Sequence, residues 1–164
     1  MPNIKNIKLI ALASIILTNS ACASEGCIFN EDAFSQEMYS KNNAIAAYTW
    51  SQENKEAKGV LQNGNIFSVK HWSCNHYGTH AVMLIGPYPS QIPETLNNDF
   101  LLLAEIALEE NEINTLKKML TEKPLKLSST PAKLNISTEQ YSEFYISYSI
   151  VNEVIILEIK LYNG

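Results

Sequence analysis

The sequence predicts an α+β fold, in which helices pack on one face of an antiparallel sheet. Strand-like alternation occupies residues 44–88, an amphipathic helical pattern covers about residues 93–123, and alternation resumes from residue 134. Separate blocks of strands and helices are typical of this class. The 164 residues are 46% hydrophobic and 18% charged. This composition is too apolar for a disordered chain, and the length fits one domain.

The first block predicts a short helix followed by a meander of four strands. Asn30 is a candidate N-cap for a helix that continues to about Asn42. The strands follow it, and Asn63-Gly64 is a strong hairpin signal. A turn is expected over Asn75–Thr79, which contains Gly78, and an apolar run at residues 81–85 favours a central strand.

The second block predicts helices and a closing hairpin. Apolar residues recur at helical spacing in two stretches that meet at the acidic residues 109–112. Either one kinked helix or two short helices fit this pattern. We expect Glu109, Glu110 and Glu112 to form a solvated acidic surface there. The alternation that follows residue 143 predicts two long strands joined at Asn152-Glu153.

The N-terminus has the pattern of an export signal. Two lysines precede the apolar run Leu9–Leu17, and Ala21-Cys22-Ala23 supplies small residues at a cleavage site. We therefore expect a signal peptide over residues 1–23, and a single exported domain over 24–164 that is periplasmic or secreted. Lipidation of Cys22 is the alternative, although Asn19 stands where a lipobox usually has Leu. Cleavage would leave 10 lysines against 17 acidic residues, a net charge of −7.

Cys27 and Cys74 would be the cysteines of the exported domain. In an oxidising compartment, two cysteines in a small domain favour a disulfide. Such a bond would close a loop of about 48 residues and stabilise the fold by roughly 4 kcal/mol in the chain-entropy model. A reactive Cys74 or an intermolecular bond is the alternative.

Several classes of function are disfavoured by what the sequence lacks. All 12 basic residues are lysines, whereas nucleic-acid modules usually present an arginine-rich basic surface. No apolar run reaches the roughly 18 residues of a membrane-spanning helix. The sequence has no Gly-rich phosphate loop, no nucleophile elbow and no common zinc-protease motif. No cofactor or metal is therefore predicted.

The densest chemistry lies in residues 71–80, which hold His71, His76 and His80. A metal site needs at least three converging ligands. His76 and His80 would lie about 13 Å apart on an extended strand, so only a bend at Gly78 would bring them together. A solvent-facing cluster at strand ends is the preferred interpretation, and pairing of Cys74 with a histidine as a nucleophile is the weaker alternative.

Exposed aromatic residues favour a binding function, because Trp and Tyr are enriched at interaction hot spots. Tyr77 and Tyr145 are predicted to be the most exposed. The candidate binding surface comprises His71, Trp72, His76, Tyr77, His80 and Tyr145.

Two functions compete on these observations. The first is an exported module that binds another protein, such as an inhibitor or immunity-type protein, with a basic partner favoured by the negative charge. The alternative is a small hydrolase or metal-dependent enzyme that uses His71, His76 and His80. The sequence alone makes catalysis the less favoured of the two.

Overall fold

The computed structural model describes residues 35–73, 77–86, 96–126, 128, 131–136 and 138–163. Within them the chain is α+β, with a seven-stranded antiparallel sheet and a few helices, which confirms the predicted fold class. In chain order, the elements are α1 (Glu37–Ser40), β1 (Ile45–Ser51), β2 (Glu56–Leu61), β3 (Ile66–Ser73), β4 (Tyr77–Ile85), α2 (Asn97–Ala107), α3 (Glu110–Glu122), β5 (Ala132–Asn135), β6 (Glu143–Val151) and β7 (Val154–Asn163).

The strands lie in the order β1-β2-β3-β4-β7-β6-β5. Strands β1 to β4 are antiparallel neighbours in chain order, and so are β5 to β7, while the pairing of β4 with β7 unites the two groups. Gly64 adopts a φ of 87° in the turn between β2 and β3. Asn152 and Glu153, both at positive φ, form the two-residue turn between β6 and β7, a geometry that matches the twist of paired strands.

One face of the sheet forms the core together with the helices. One row of fully buried side chains crosses β3, β4, β7 and β6. It consists of Val69, Ala81, Ile159 and Ile146. Helix α2 packs against β4 and β7 and against α3. The buried stripe of α2, which runs from Phe100 to Ala107, therefore covers the middle of the sheet.

Two local predictions differ from the structure. Only Glu37–Ser40 is helical near the N-terminus among the described residues, and residues 30–34 lie outside them. Tyr39 anchors this helix in the core, where it contacts Tyr48, Trp50 and Phe67. The predicted turn over residues 75–79 is wrong in its second half, because β4 already begins at Tyr77.

The helical region consists of two helices, which resolves the alternatives left open by the sequence. Helix α2 ends at Ala107, and both Leu108 and Glu109 have extended backbone angles before α3 begins. The break lets the two helices pack against each other.

Candidate functional site on the open face of the sheet

The sheet face opposite the helices, called the open face below, carries the polar and aromatic side chains of the central strands. Lys70, His80, Lys160 and Tyr145 form one row across β3, β4, β7 and β6. Because side chains alternate between the faces of a strand, this row lies directly opposite the core row described above.

A shallow cavity of about 490 Å³ lies on the open face. Its lining combines two ammonium groups, one carboxylate, an imidazole and two aromatic rings. The lining residues are Lys70, Trp72, His80, Tyr145, Glu158 and Lys160. The volume falls within the usual range of small-molecule sites.

Glu158 is the hydrogen-bonding centre of the cavity. Its Oε1 lies 2.8 Å from Nε2 of His80, and the Ser147 hydroxyl donates to its Oε2 over 2.8 Å. Burial raises the pKa of Glu158, but hydrogen bonds from Ser147, His80 and Tyr145 outweigh burial and hold this pKa below its usual value. The cavity thus contains an ionised carboxylate near neutral pH.

Trp72 forms one wall of the cavity by lying over a glycine. Gly78 is its cross-strand partner, and a Cβ on Gly78 would overlap the indole ring. Tyr162, on the other side of Gly78, has its ring centroid 6.3 Å from that of Trp72. An aromatic side chain that covers a cross-strand glycine protects the backbone there and is itself held in place.

Lys133 covers the ring of Tyr145, with its Nζ 3.4 Å from the ring centroid. This contact is a cation–π interaction. Tyr145 consequently has only 8% exposure, so the prediction that it is exposed is wrong, although it does lie on the open face. Lys160 pairs with Glu143 at 2.9 Å on the same face.

An aliphatic row crosses the open face beside the cavity. It consists of Val60, Ile66, Leu84 and Ile156, which are successive cross-strand neighbours on β2, β3, β4 and β7. Val60 has 41% exposure and Ile66 has 51%. Exposed aliphatic side chains that adjoin one another on a sheet face, in contrast to single ones, are typical of an interaction surface.

His71 lies on the core face, which corrects its assignment to the binding surface. It has 1% exposure, and its Nε2 and Nδ1 lie 2.8 Å from the Tyr39 hydroxyl and 3.0 Å from Oγ1 of Thr79. Burial lowers the pKa of His71 to about 3, so the ring is neutral. His71 and His80 therefore face opposite sides of the sheet and do not share a site.

The prediction that Tyr77 is exposed on the binding surface is also wrong. It begins β4, is half-buried and packs against the core. Burial, with a contribution from the nearby Glu112 and Glu109 carboxylates, raises the pKa of its hydroxyl. Of the predicted binding residues, Trp72, His80 and Tyr145 are thus brought together, whereas His71 and Tyr77 lie on the core side.

Glu112 is buried, in contrast to the solvated acidic surface expected from the sequence. It has 4% exposure, and the Tyr141 hydroxyl donates a hydrogen bond to its Oε1. Its Oε2 has no partner among the described residues. Glu112 precedes Leu116 and Leu120 at intervals of four, so the buried stripe of α3 itself contains the signal for this position.

Other predicted features lie outside the described residues. They are the signal peptide over residues 1–23, including Cys22, and the residues Cys27, Cys74 and His76. Among the described residues, no group of three or more His, Cys, Asp or Glu side chains could hold a metal ion. None of the helices in the same part of the chain is long and apolar enough to cross a membrane.

The chain matches no family model, no curated protein and no solved structure.

Proposed function

We propose that the chain is an exported protein that acts by binding another protein, as an inhibitor or immunity-type module does. The contact surface is the open face of the sheet, with the aliphatic row as its apolar part. The observation that carries this proposal is the exposure of Val60 and Ile66 in that row. Burial of apolar area is the main driving force of association, and these residues supply it.

A partner with a basic surface suits the charge of the chain. The net charge is −5, and −7 for the expected exported form. On the open face itself, Glu56, Glu143 and Glu158 are paired with Lys58, Lys160 and His80. We infer that the charge of the whole domain attracts a basic partner over long range, and that the open face makes the apolar contact.

The alternative, a hydrolase or metal-dependent enzyme using His71, His76 and His80, is less well supported. Both ring nitrogens of His71 are engaged by Tyr39 and Thr79 in the core, on the other side of the sheet from His80. A shared catalytic or metal site would require His71 to give up at least one of these hydrogen bonds and to leave its position in the core.

Ile66→Ser tests the proposal, with Val151→Ser as a matched control, because both side chains have 51% exposure and Val151 lies outside the aliphatic row. Purified basic envelope hydrolases, a muramidase among them, serve as probes in calorimetric titrations and enzyme-inhibition assays. We expect at least one probe to bind, with an affinity about tenfold lower for Ile66→Ser and unchanged for Val151→Ser.

The rate of association should also fall as salt is added, because salt screens the long-range attraction. If both variants bound the probe with equal affinity, the open face would not be the contact surface. If no basic probe bound, the proposal of a partner with a basic surface would be wrong.

A further inference from the structure

The cavity on the open face has a chemistry that the protein-binding proposal does not use. Its aromatic wall and charged lining adjoin the aliphatic row but consist of different residues. We propose that this cavity binds a carboxylate-bearing sugar, with the sugar ring stacked on Trp72 and the sugar carboxylate paired with Lys70.

The position of Trp72 favours a ring that stacks. One face of its indole lies against the backbone at Gly78, so the opposite face is the one available to the cavity that Trp72 lines. The face of an aromatic ring is negative and attracts the slightly positive C–H groups of a pyranose. Because the indole is already held over Gly78, little side-chain entropy is lost when a ligand stacks on it.

The charges of the lining favour an acid. Lys70 and Lys160 occupy the same row on either side of His80. Lys160 is already paired with Glu143 at 2.9 Å. Lys70 forms no ion pair within 4 Å among the described residues, because its cross-strand neighbour Glu56 is paired with Lys58. Lys70 is therefore the ammonium group that an incoming carboxylate would meet.

The Glu158 carboxylate in the cavity favours a ligand rich in hydroxyl groups. The two oxygens of Glu158 accept hydrogen bonds from His80 and Ser147, and a carboxylate has about four acceptor positions. Among the described residues, these two bonds leave acceptor positions on Glu158 for a sugar hydroxyl. The same carboxylate disfavours a simple anion such as phosphate, because it would repel an anion that lacked hydroxyl donors.

Two pairs of sugars test this proposal and distinguish the source of the carboxylate. Glucuronic acid is compared with glucose, and N-acetylmuramic acid with N-acetylglucosamine. Binding is followed by NMR through the two indole N–H signals, of which only that of Trp72 should move. The Trp50 N–H donates to Gln52 at 2.8 Å and serves as an internal control.

We expect at least one acid to bind at millimolar concentration, with its neutral match about tenfold weaker. Lys70→Gln should abolish this preference, whereas Lys118→Gln, an equal loss of charge on an exposed site of α3, should leave it unchanged. Both are substitutions of exposed lysines, so neither should disturb folding.

Equal binding of acid and neutral sugar, a preference that survives Lys70→Gln, or no shift of the Trp72 signal with any of the four sugars would each overturn the proposal. These outcomes are independent of the partner test, which relies on Ile66 and on protein probes. Either proposal can therefore fail while the other stands.

Discussion

The Tyr39 hydroxyl and Nε2 of His71 lie 2.8 Å apart inside the core, joining the short helix α1 to the middle of β3. Thr79 binds the other ring nitrogen at 3.0 Å. A neutral imidazole has one donor and one acceptor nitrogen, so one partner donates and the other accepts. A protonated ring would have two donors and would carry an uncompensated charge in the core.

His71 should make the protein sensitive to mild acid. Burial lowers its folded pKa from 6.5 to about 3, so below pH 6.5 the unfolded chain gains a proton that the folded protein does not. Stability is unaffected by His71 above pH 6.5 and falls by about 1.4 kcal/mol per pH unit as the pH drops towards 3. Urea unfolding at pH 6.5 to 5 measures this slope, since lowered carboxyl pKa values act below that window.

His71→Gln is the control for this prediction, because an amide can bond to both Tyr39 and Thr79 but does not titrate. The variant should be less stable at neutral pH and should lose the slope attributed to His71. If the two proteins lost stability in parallel between pH 6.5 and 5, the acid sensitivity would come from elsewhere.

Removal of the Tyr141 hydroxyl should lower the free energy of unfolding, although Tyr141 is only partly buried. Tyr141→Phe leaves both oxygens of the buried Glu112 side chain without a described partner. An unsatisfied buried polar group costs about 1–3 kcal/mol, and we expect that loss in the free energy of unfolding. The double variant Tyr141→Phe/Glu112→Leu should recover much of it, and an additive double variant would contradict the coupling.

Two strand glycines should differ in their tolerance of alanine. A Cβ on Gly59 would overlap the backbone oxygen of Ala47 and the ring of Phe67, whereas the three atoms nearest to a Cβ on Gly78 all belong to the Trp72 side chain. We expect Gly59→Ala to destabilise the fold more than Gly78→Ala, for which about 1–3 kcal/mol is typical. Thermal unfolding ranks the two, and the reverse order would contradict these contacts.

The two faces of the sheet should respond differently to truncation. Ile159→Ala removes a fully buried side chain and should cost about 2–5 kcal/mol. Ile66→Ala truncates an open-face side chain with 51% exposure and should change the free energy of unfolding by about 0.5 kcal/mol or less. Chemical denaturation of both variants measures the difference, and similar losses would mean that the open face is covered in the folded protein.

The predicted disulfide can be tested directly in oxidised protein. Peptide mapping without reductant should find Cys27 joined to Cys74, and Cys27→Ala should lower stability, by up to about 4 kcal/mol in the chain-entropy model. Reduction of the wild type should cause a similar loss. A Cys27→Ala variant as stable as its oxidised parent would show that the two sulfurs are not joined.

The α+β class could be read from the sequence because strand and helix periodicities depend on local residue order. Alternation shows which side chains share a face within one strand, since period two requires no knowledge of neighbouring strands. It could not reveal the pairing of β4 with β7, which depends on contacts between distant segments. The cavity is lined by residues from both sides of that pairing, so only some of its lining residues could be predicted from the sequence.

The errors at individual residues have the same origin. His71 and His80 lie close in sequence and were predicted to form one cluster, but their register places them on opposite faces. Tyr145 was expected to be exposed because it alternates with Phe144, but Lys133 of the neighbouring strand β5 lies over its ring. Such covering contacts come from a neighbouring strand and leave no mark in the local pattern.

The pairing of β4 with β7 also has a kinetic consequence. The hairpins β1-β2, β2-β3 and β6-β7 close short loops, whereas β4 and β7 meet only after α2, α3, β5 and β6 have been synthesised between them. Loop closure of this span carries a larger entropy loss, and non-local pairing slows folding. We expect both halves of the sheet to form early and their union to limit the folding rate.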